Sequence, residues 1–67
     1  MSPRRLGTVI RRLREAQGLT QIELARRAKV SQGYVAALEG GIKKNPSLPT
    51  LKRLAKALDV NVAALLE

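Results

Sequence analysis

Two helix-start signals, Thr20-Gln21-Ile22-Glu23 and Ser31, lie so close together that they constrain this chain more than anything else in it. The first is a T-x-x-E capping box: the threonine hydroxyl takes a backbone N–H of the first turn, and the glutamate reaches back to the threonine N–H. The second, Ser31, is a good N-cap on its own. Between them there is room for one short helix, beginning at Gln21 with Leu24, Ala25 and Ala28 on one face, and for a tight turn, Ala28-Lys29-Val30-Ser31. Another helix then runs from about Gln32 to Glu39, with Val35 and Leu38 facing inward and Val30 packing from the turn. Gly40-Gly41 ends it.

The remaining punctuation divides the chain in the same way. Pro3 after Ser2 is a cap-then-proline helix start. Leu6, Ile10 and Leu13 follow at helical spacing, widened by Val9 and interleaved with Arg11, Arg12 and Arg14. Gly18 stops that helix. Residues 42–47 form a basic loop, and Ser47 caps a fourth helix with Pro49 tolerated in its first turn. Leu51, Leu54, Ala55 and Leu58 give its apolar face, and Lys52, Arg53 and Lys56 are expected in solvent. Asp59-Val60-Asn61 is a turn, after which Val62 to Leu66 make a short last helix. No stretch alternates with period two for long enough to read as a strand. The expected architecture is an all-α, compact five-helix bundle forming one domain over residues 1–67, with residues 1–4 as a loose arm.

Composition closes off most chemistry. There are no cysteines and no histidines, and the acids Glu15, Glu23, Glu39, Asp59 and Glu67 are scattered. A disulfide framework, a Cys- or His-ligated metal and the usual general base are therefore excluded, so neither an enzyme nor a cofactor is expected. Thirteen Lys and Arg against five acids give a net charge of +8. Such a field favours a polyanion, nucleic acid first and an anionic membrane surface second. No apolar run approaches the roughly 20 residues of a membrane-spanning helix. Met1-Ser2-Pro3-Arg4-Arg5 lacks an apolar signal-peptide segment, and no helix pairs a large apolar face with aromatic anchors. A cytoplasmic location, with neither a membrane nor a small-molecule ligand as partner, is the expectation.

Residues 21–39 have the layout of a helix-turn-helix, in which the second helix lies in the DNA major groove and the first crosses the backbone. On spacing alone they would also suit an ordinary αα corner; the charge and the basic loop favour the former. The chain resembles the lambda-repressor/Cro family of DNA-binding domains, also called the xenobiotic-response-element type. The resemblance rests on Leu13-Arg14, Gly18-Leu19-Thr20-Gln21, Leu24-Ala25, Val30-Ser31, Leu38-Glu39, Gly41, Asn45-Pro46-Ser47-Leu48, Thr50-Leu51, Leu54-Ala55, Ala57-Leu58 and Leu65-Leu66. The loop and fourth helix are similar to those of SinR-like repressors and of restriction-modification controller proteins.

The resemblance implies roles for particular residues. Gln21 would contact a phosphate, a role that the unpaired N–H groups of a helix N-terminus support independently. Ser31, Gln32, Gly33 and Ala37 would occupy groove-facing, base-reading positions. Lys43, Lys44 and Asn45 would follow the flanking sugar-phosphate backbone. Apart from the resemblance, Arg27 is expected near phosphate because it is close to the turn, Lys29 puts a cation near the DNA backbone, and Tyr34 can donate to phosphates or bases. Arg14 and Glu39 would form a structural ion pair between the first and third helices. Val62, Leu65 and Leu66 would form a two-fold interface, and Ile22 is expected to be an exposed apolar residue.

Two departures from the family pattern matter. Lys29 stands where glycine is usual, at a turn position that usually needs φ > 0, and should cost about 1 kcal/mol or force a different turn. The reading helix is also poor in base-reading side chains: Gln32 alone suits a bidentate bond to adenine, Ala36 or Ala37 a thymine methyl, and no arginine is present for guanine. Much of the affinity should then come from phosphates and part of the specificity from DNA shape. The expected function is a sequence-specific double-stranded DNA-binding regulator, a repressor acting as a homodimer on a palindromic operator. An antitoxin, a restriction-modification controller, or a protein-interaction module without DNA contacts are the alternatives.

Overall fold

The structure, a computed structural model, describes residues 3–43 and 45–66. Five α-helices are formed among them: α1 (Pro3–Ala16), α2 (Gln21–Ala28), α3 (Gln32–Glu39), α4 (Leu48–Ala57) and α5 (Val62–Leu65). No strand occurs among the described residues, and no helix is long and apolar enough to cross a membrane. The chain fills a nearly isometric body of 24 × 23 × 21 Å.

Each of the three central helices starts on a hydroxyl. Thr20, Ser31 and Ser47 accept the N–H of Glu23 (3.0 Å), Tyr34 (3.0 Å) and Thr50 (3.3 Å). The Thr20 N–H in turn donates to Glu23 Oε1 at 2.9 Å, completing the capping box. Asn61 takes the extended cap conformation before α5 but makes no side-chain cap bond. The α1 helix already includes Pro3 and Arg4, so these two do not form the expected arm: a proline in the first turn forfeits only an N–H that has no partner there. Met1 and Ser2 lie outside the described residues.

The turn after α2 adopts the left-handed conformation that the family resemblance implies, with a lysine in it. Lys29 has φ 60° and ψ 42°, and the N–H of Val30 returns to the Ala25 carbonyl at 2.9 Å. Two orphan carbonyls of α2 are thereby satisfied before α3 begins.

Helix α3 packs on α1 and α2, α4 packs on α2, and α5 closes the body against α4 and α1. Leu6, Ile10, Leu24, Val35, Leu38, Leu54, Leu58 and Leu65 are fully buried where these elements meet. The crossing of α1 over α3 is close enough to need a glycine: a Cβ on Gly7 would stand 2.1 Å from the Leu38 carbonyl oxygen and 2.9 Å from that of Glu39.

The position of Leu65 corrects one expectation. As part of a helix only one turn long, its side chain completes the core and is not available to a second copy of the chain. Leu66, 46% exposed, and the half-buried Val62 are what remains of the expected interface.

Candidate nucleic-acid interface

The outer side of α3 begins at its cap. Ser31, Gln32, Gly33 and Ala36 are exposed, Ala37 is half-buried, and the inner positions Val35 and Leu38 are sealed in the core. Gly33 is under no internal constraint, since the nearest atom to an added Cβ would be Ser31 Oγ at 4.0 Å. Tyr34 is half-buried against the core and presents its ring to the loop, where Lys43 Nζ lies 5.5 Å from the ring centroid. The loop itself is fastened to α3. The Ala37 carbonyl accepts the N–H of both Ile42 (2.9 Å) and Lys43 (3.1 Å). Asn45 then takes a left-handed φ of 52°, which asparagine tolerates better than most residues. Lys44 lies outside the described residues.

Behind α3 stands a polar network. Arg14 grips Glu39 with two parallel bonds, Nε to Oε2 at 2.6 Å and NH2 to Oε1 at 2.9 Å, and its NH1 donates to the Leu19 carbonyl at 2.8 Å. The paired side chains are only 11% and 4% exposed. Gln21 completes the set by donating from Nε2 to Glu39 Oε1 at 3.1 Å. Burial pushes the Glu39 carboxyl up, but the bonds from Arg14 and Gln21 and the nearby charges of Arg14 and Arg11 outweigh it, so the group sits below its ordinary range. Hydrogen bonding to Glu39 raises Arg14 in turn, against the effect of burial. The pair thus holds the last turn of α3 to α1 and to the start of α2, and Gln21 keeps a second amide N–H for a ligand.

The structure does not gather all the expected phosphate ligands in one place. Gln21 lies at the start of α2 and Lys43 beside Tyr34, but Arg27 and Lys29 turn toward the far ends of α1 and α4. There they line a groove of about 580 Å³ with Gln17, Arg53, Lys56, Ala57 and Asp59. Ile22 is exposed at 49%, and the large exposures of Ile42 (80%) and Leu48 (55%) went unread in the sequence. Gly7 and the Gln21–Glu39 bond also escaped it: a glycine within a helix names no neighbour, and a glutamine at a helix start does not show which way its side chain turns.

The chain matches the family model described as Helix-turn-helix over residues 10–65. It belongs to that family. Its helix-turn-helix layout is shared with SinR of Bacillus subtilis, 34% identical over 62 residues that cover 92% of this chain and 56% of SinR. A crystal structure of SinR in complex with DNA superposes with a TM-score of 0.88 at 34% identity, covering 92% of this chain and 98% of that one. The immunity repressor of Bacillus phage phi105 is 40% identical over 60 residues, 90% of this chain and 41% of the repressor. The restriction-modification controller protein C.AhdI from Aeromonas hydrophila superposes with a TM-score of 0.89 at 36% identity over 94% of both chains. The helix-turn-helix chain thus spans about half the length of the curated regulators it matches, 56% and 41% of the first two.

Proposed function

We propose that this protein is a sequence-specific double-stranded DNA-binding regulator that represses by occupying a palindromic operator as a dimer. The observation that carries this reading is the exposed first turn of α3, Ser31-Gln32-Gly33, set on a helix whose other end is clamped by the Arg14–Glu39 pair. A helix held so firmly at its back presents its front with little freedom to lose on binding. Gly33 adds to the argument: nothing inside the protein requires it, and glycine weakens a helix, so its use points to close approach by an outside backbone or base edge.

In this reading Gln32 takes an adenine, Ala36 or Ala37 meets a thymine methyl, and Ser31 donates to a base or phosphate. Gln21, Tyr34, Lys43, Lys44 and Asn45 hold the sugar-phosphate strands, while Arg27 and Lys29 stand apart from them. The solved SinR–DNA complex and the phage immunity repressor among its relatives support the assignment. Within it, a restriction-modification controller role is favoured by the match to C.AhdI over 94% of both chains. The protein would act in the compartment that holds the DNA.

Selection of bound duplexes from a random pool, followed by titration of the winner over a salt series, tests the proposal. A palindrome with half-sites about 34 Å apart is expected. The slope of log K against log salt should be near −0.9 for each phosphate neutralised. A protein with no duplex affinity at moderate salt would instead be an interaction module that keeps only the bundle.

A further inference from the structure

We infer that the groove between the C-terminal ends of α2 and α4 is a second binding surface, made for an acidic polypeptide segment of a partner protein. Arg27 and Lys29 from α2 and Arg53 and Lys56 from α4 line it against one carboxylate, Asp59. None of the four cations has an ion-pair partner among the described residues. Arg53 is tied across the groove: its Nε donates to the Ala28 carbonyl at 3.1 Å, which fixes the side chain between α4 and the end of α2. One carbonyl at each of these helix ends already has a side-chain donor, Leu58 from the Gln17 amide and Ala28 from Arg53.

Its lining comes from α2, α4 and the turns after α1, α2 and α4, and none of it from α3. Helix α2 begins at Gln21 and α4 begins where the Lys43 loop ends, and both terminate at the groove. At about 1.5 Å per residue this places Arg27 about 9 Å along α2, and Arg53 and Lys56 about 7.5 and 12 Å along α4, from those starts. Lys29 lies two residues before the Ser31 cap, so the groove borders the reading turn on that side, while Arg53 and Lys56 stand on α4. Its shape favours a peptide over a second nucleic-acid strand. It is concave, and Asp59 in its lining offers an acceptor to a peptide N–H, a donor that a phosphate strand lacks. The surface thus suits a partner that docks on the regulator, and it does not depend on which operator is read.

The test uses a short fluorescein-labelled oligoglutamate peptide and the intact protein. The double variant Arg27→Glu/Lys56→Glu leaves the Arg53 bond untouched. It should weaken peptide binding about tenfold, whereas Arg12→Glu/Arg26→Glu, an equal change of net charge on exposed helix positions, should change it by less than about twofold. Amide shifts on peptide addition should concentrate at Gln17, Lys56 and Asp59. Equal losses in both variants would reduce the effect to overall charge and overturn the assignment. So would a tenfold fall in duplex affinity in the groove variant, which would make the groove a nucleic-acid contact. If the protein binds no duplex but the peptide still maps to the groove, the regulator reading fails and this one stands.

Discussion

At the scale of single residues, Glu39 carries the most consequence. Its carboxylate is almost fully enclosed, takes two bonds from Arg14 and one from Gln21, and is ionised because of them. Removing one member of a buried pair leaves the other charge unpaired at a cost of about 3–5 kcal/mol. A domain of this size has about that much stability in total. Arg14→Ala and Glu39→Ala should therefore be largely unfolded at room temperature by circular dichroism. Arg11→Ala, which breaks only the exposed Arg11–Glu15 pair (3.4 Å; 64% and 56% exposed), should cost less than about 0.5 kcal/mol. The pH dependence has a definite sign. Because folding lowers the Glu39 pKa below the ordinary value of 4.5, its contribution is complete above that value and is lost as the pH falls through the folded pKa. Glu23, lowered by the backbone and hydroxyl of Thr20, acts in the same direction. Melting temperature should be flat from neutrality to about pH 5 and then fall with acidification. A Glu39→Gln variant that melts like the parent at pH 7 would refute this account.

At the scale of the helix, two glycines of opposite meaning can be told apart. Gly7 lets α1 and α3 cross, and an alanine there would drive its Cβ into the Leu38 carbonyl. Overpacking against backbone costs about 1–3 kcal/mol, and here the displacement would shift α3 itself. Gly33 meets nothing, so Gly33→Ala should stabilise the fold by up to about 1 kcal/mol through the helix propensity of alanine. The same change should weaken duplex binding if the backbone must approach the DNA there. Denaturant titration of both variants, with duplex titration of the second, checks the pair; a destabilised Gly33→Ala would show that its backbone is constrained after all.

The same scale explains what the sequence disclosed. Thr20, Ser31 and Ser47 announce helix starts because their chemistry is local, a hydroxyl and an N–H three residues away. The left-handed turn at Lys29 was legible only through the family resemblance, because a lysine does not by itself call for a positive φ. What stayed hidden depends on which helices become neighbours. Helical periodicity gives the outward side of Arg27 and of Arg53 separately, but not that α2 and α4 bring them to one groove. On the site itself, the exposed order Ser31-Gln32-Gly33 was readable, because Val35 and Leu38 fix the inner face of α3 and so its outer one.

At the scale of the whole molecule, the proposed palindromic operator would require one small body to meet two half-sites. A lone reading helix with one bidentate side chain cannot supply much discrimination, since each good pair contributes about 1–3 kcal/mol. Two copies on a two-fold axis double both the contacts and the phosphate grip, which makes the C-terminal surface decisive. The last helix divides its leucines: Leu65 is needed inside and Leu66 is left outside beside the half-buried Val62. Leu65→Ala should therefore lose about 2–5 kcal/mol and most of the folded population. Leu66→Glu should leave the melting curve of the isolated chain almost unchanged, because surface substitutions usually move stability by less than about 0.5 kcal/mol. If Leu66 lies in the dimer contact, sedimentation should show Leu66→Glu as a monomer at concentrations where the parent is a dimer. Its affinity for a full palindrome should then fall toward that for a single half-site. A parent protein that dimerises equally well with glutamate at this position would move the two-fold axis elsewhere, to the exposed Ile22 or to Ile42 and Leu48, and would change the half-site spacing that the operator must have.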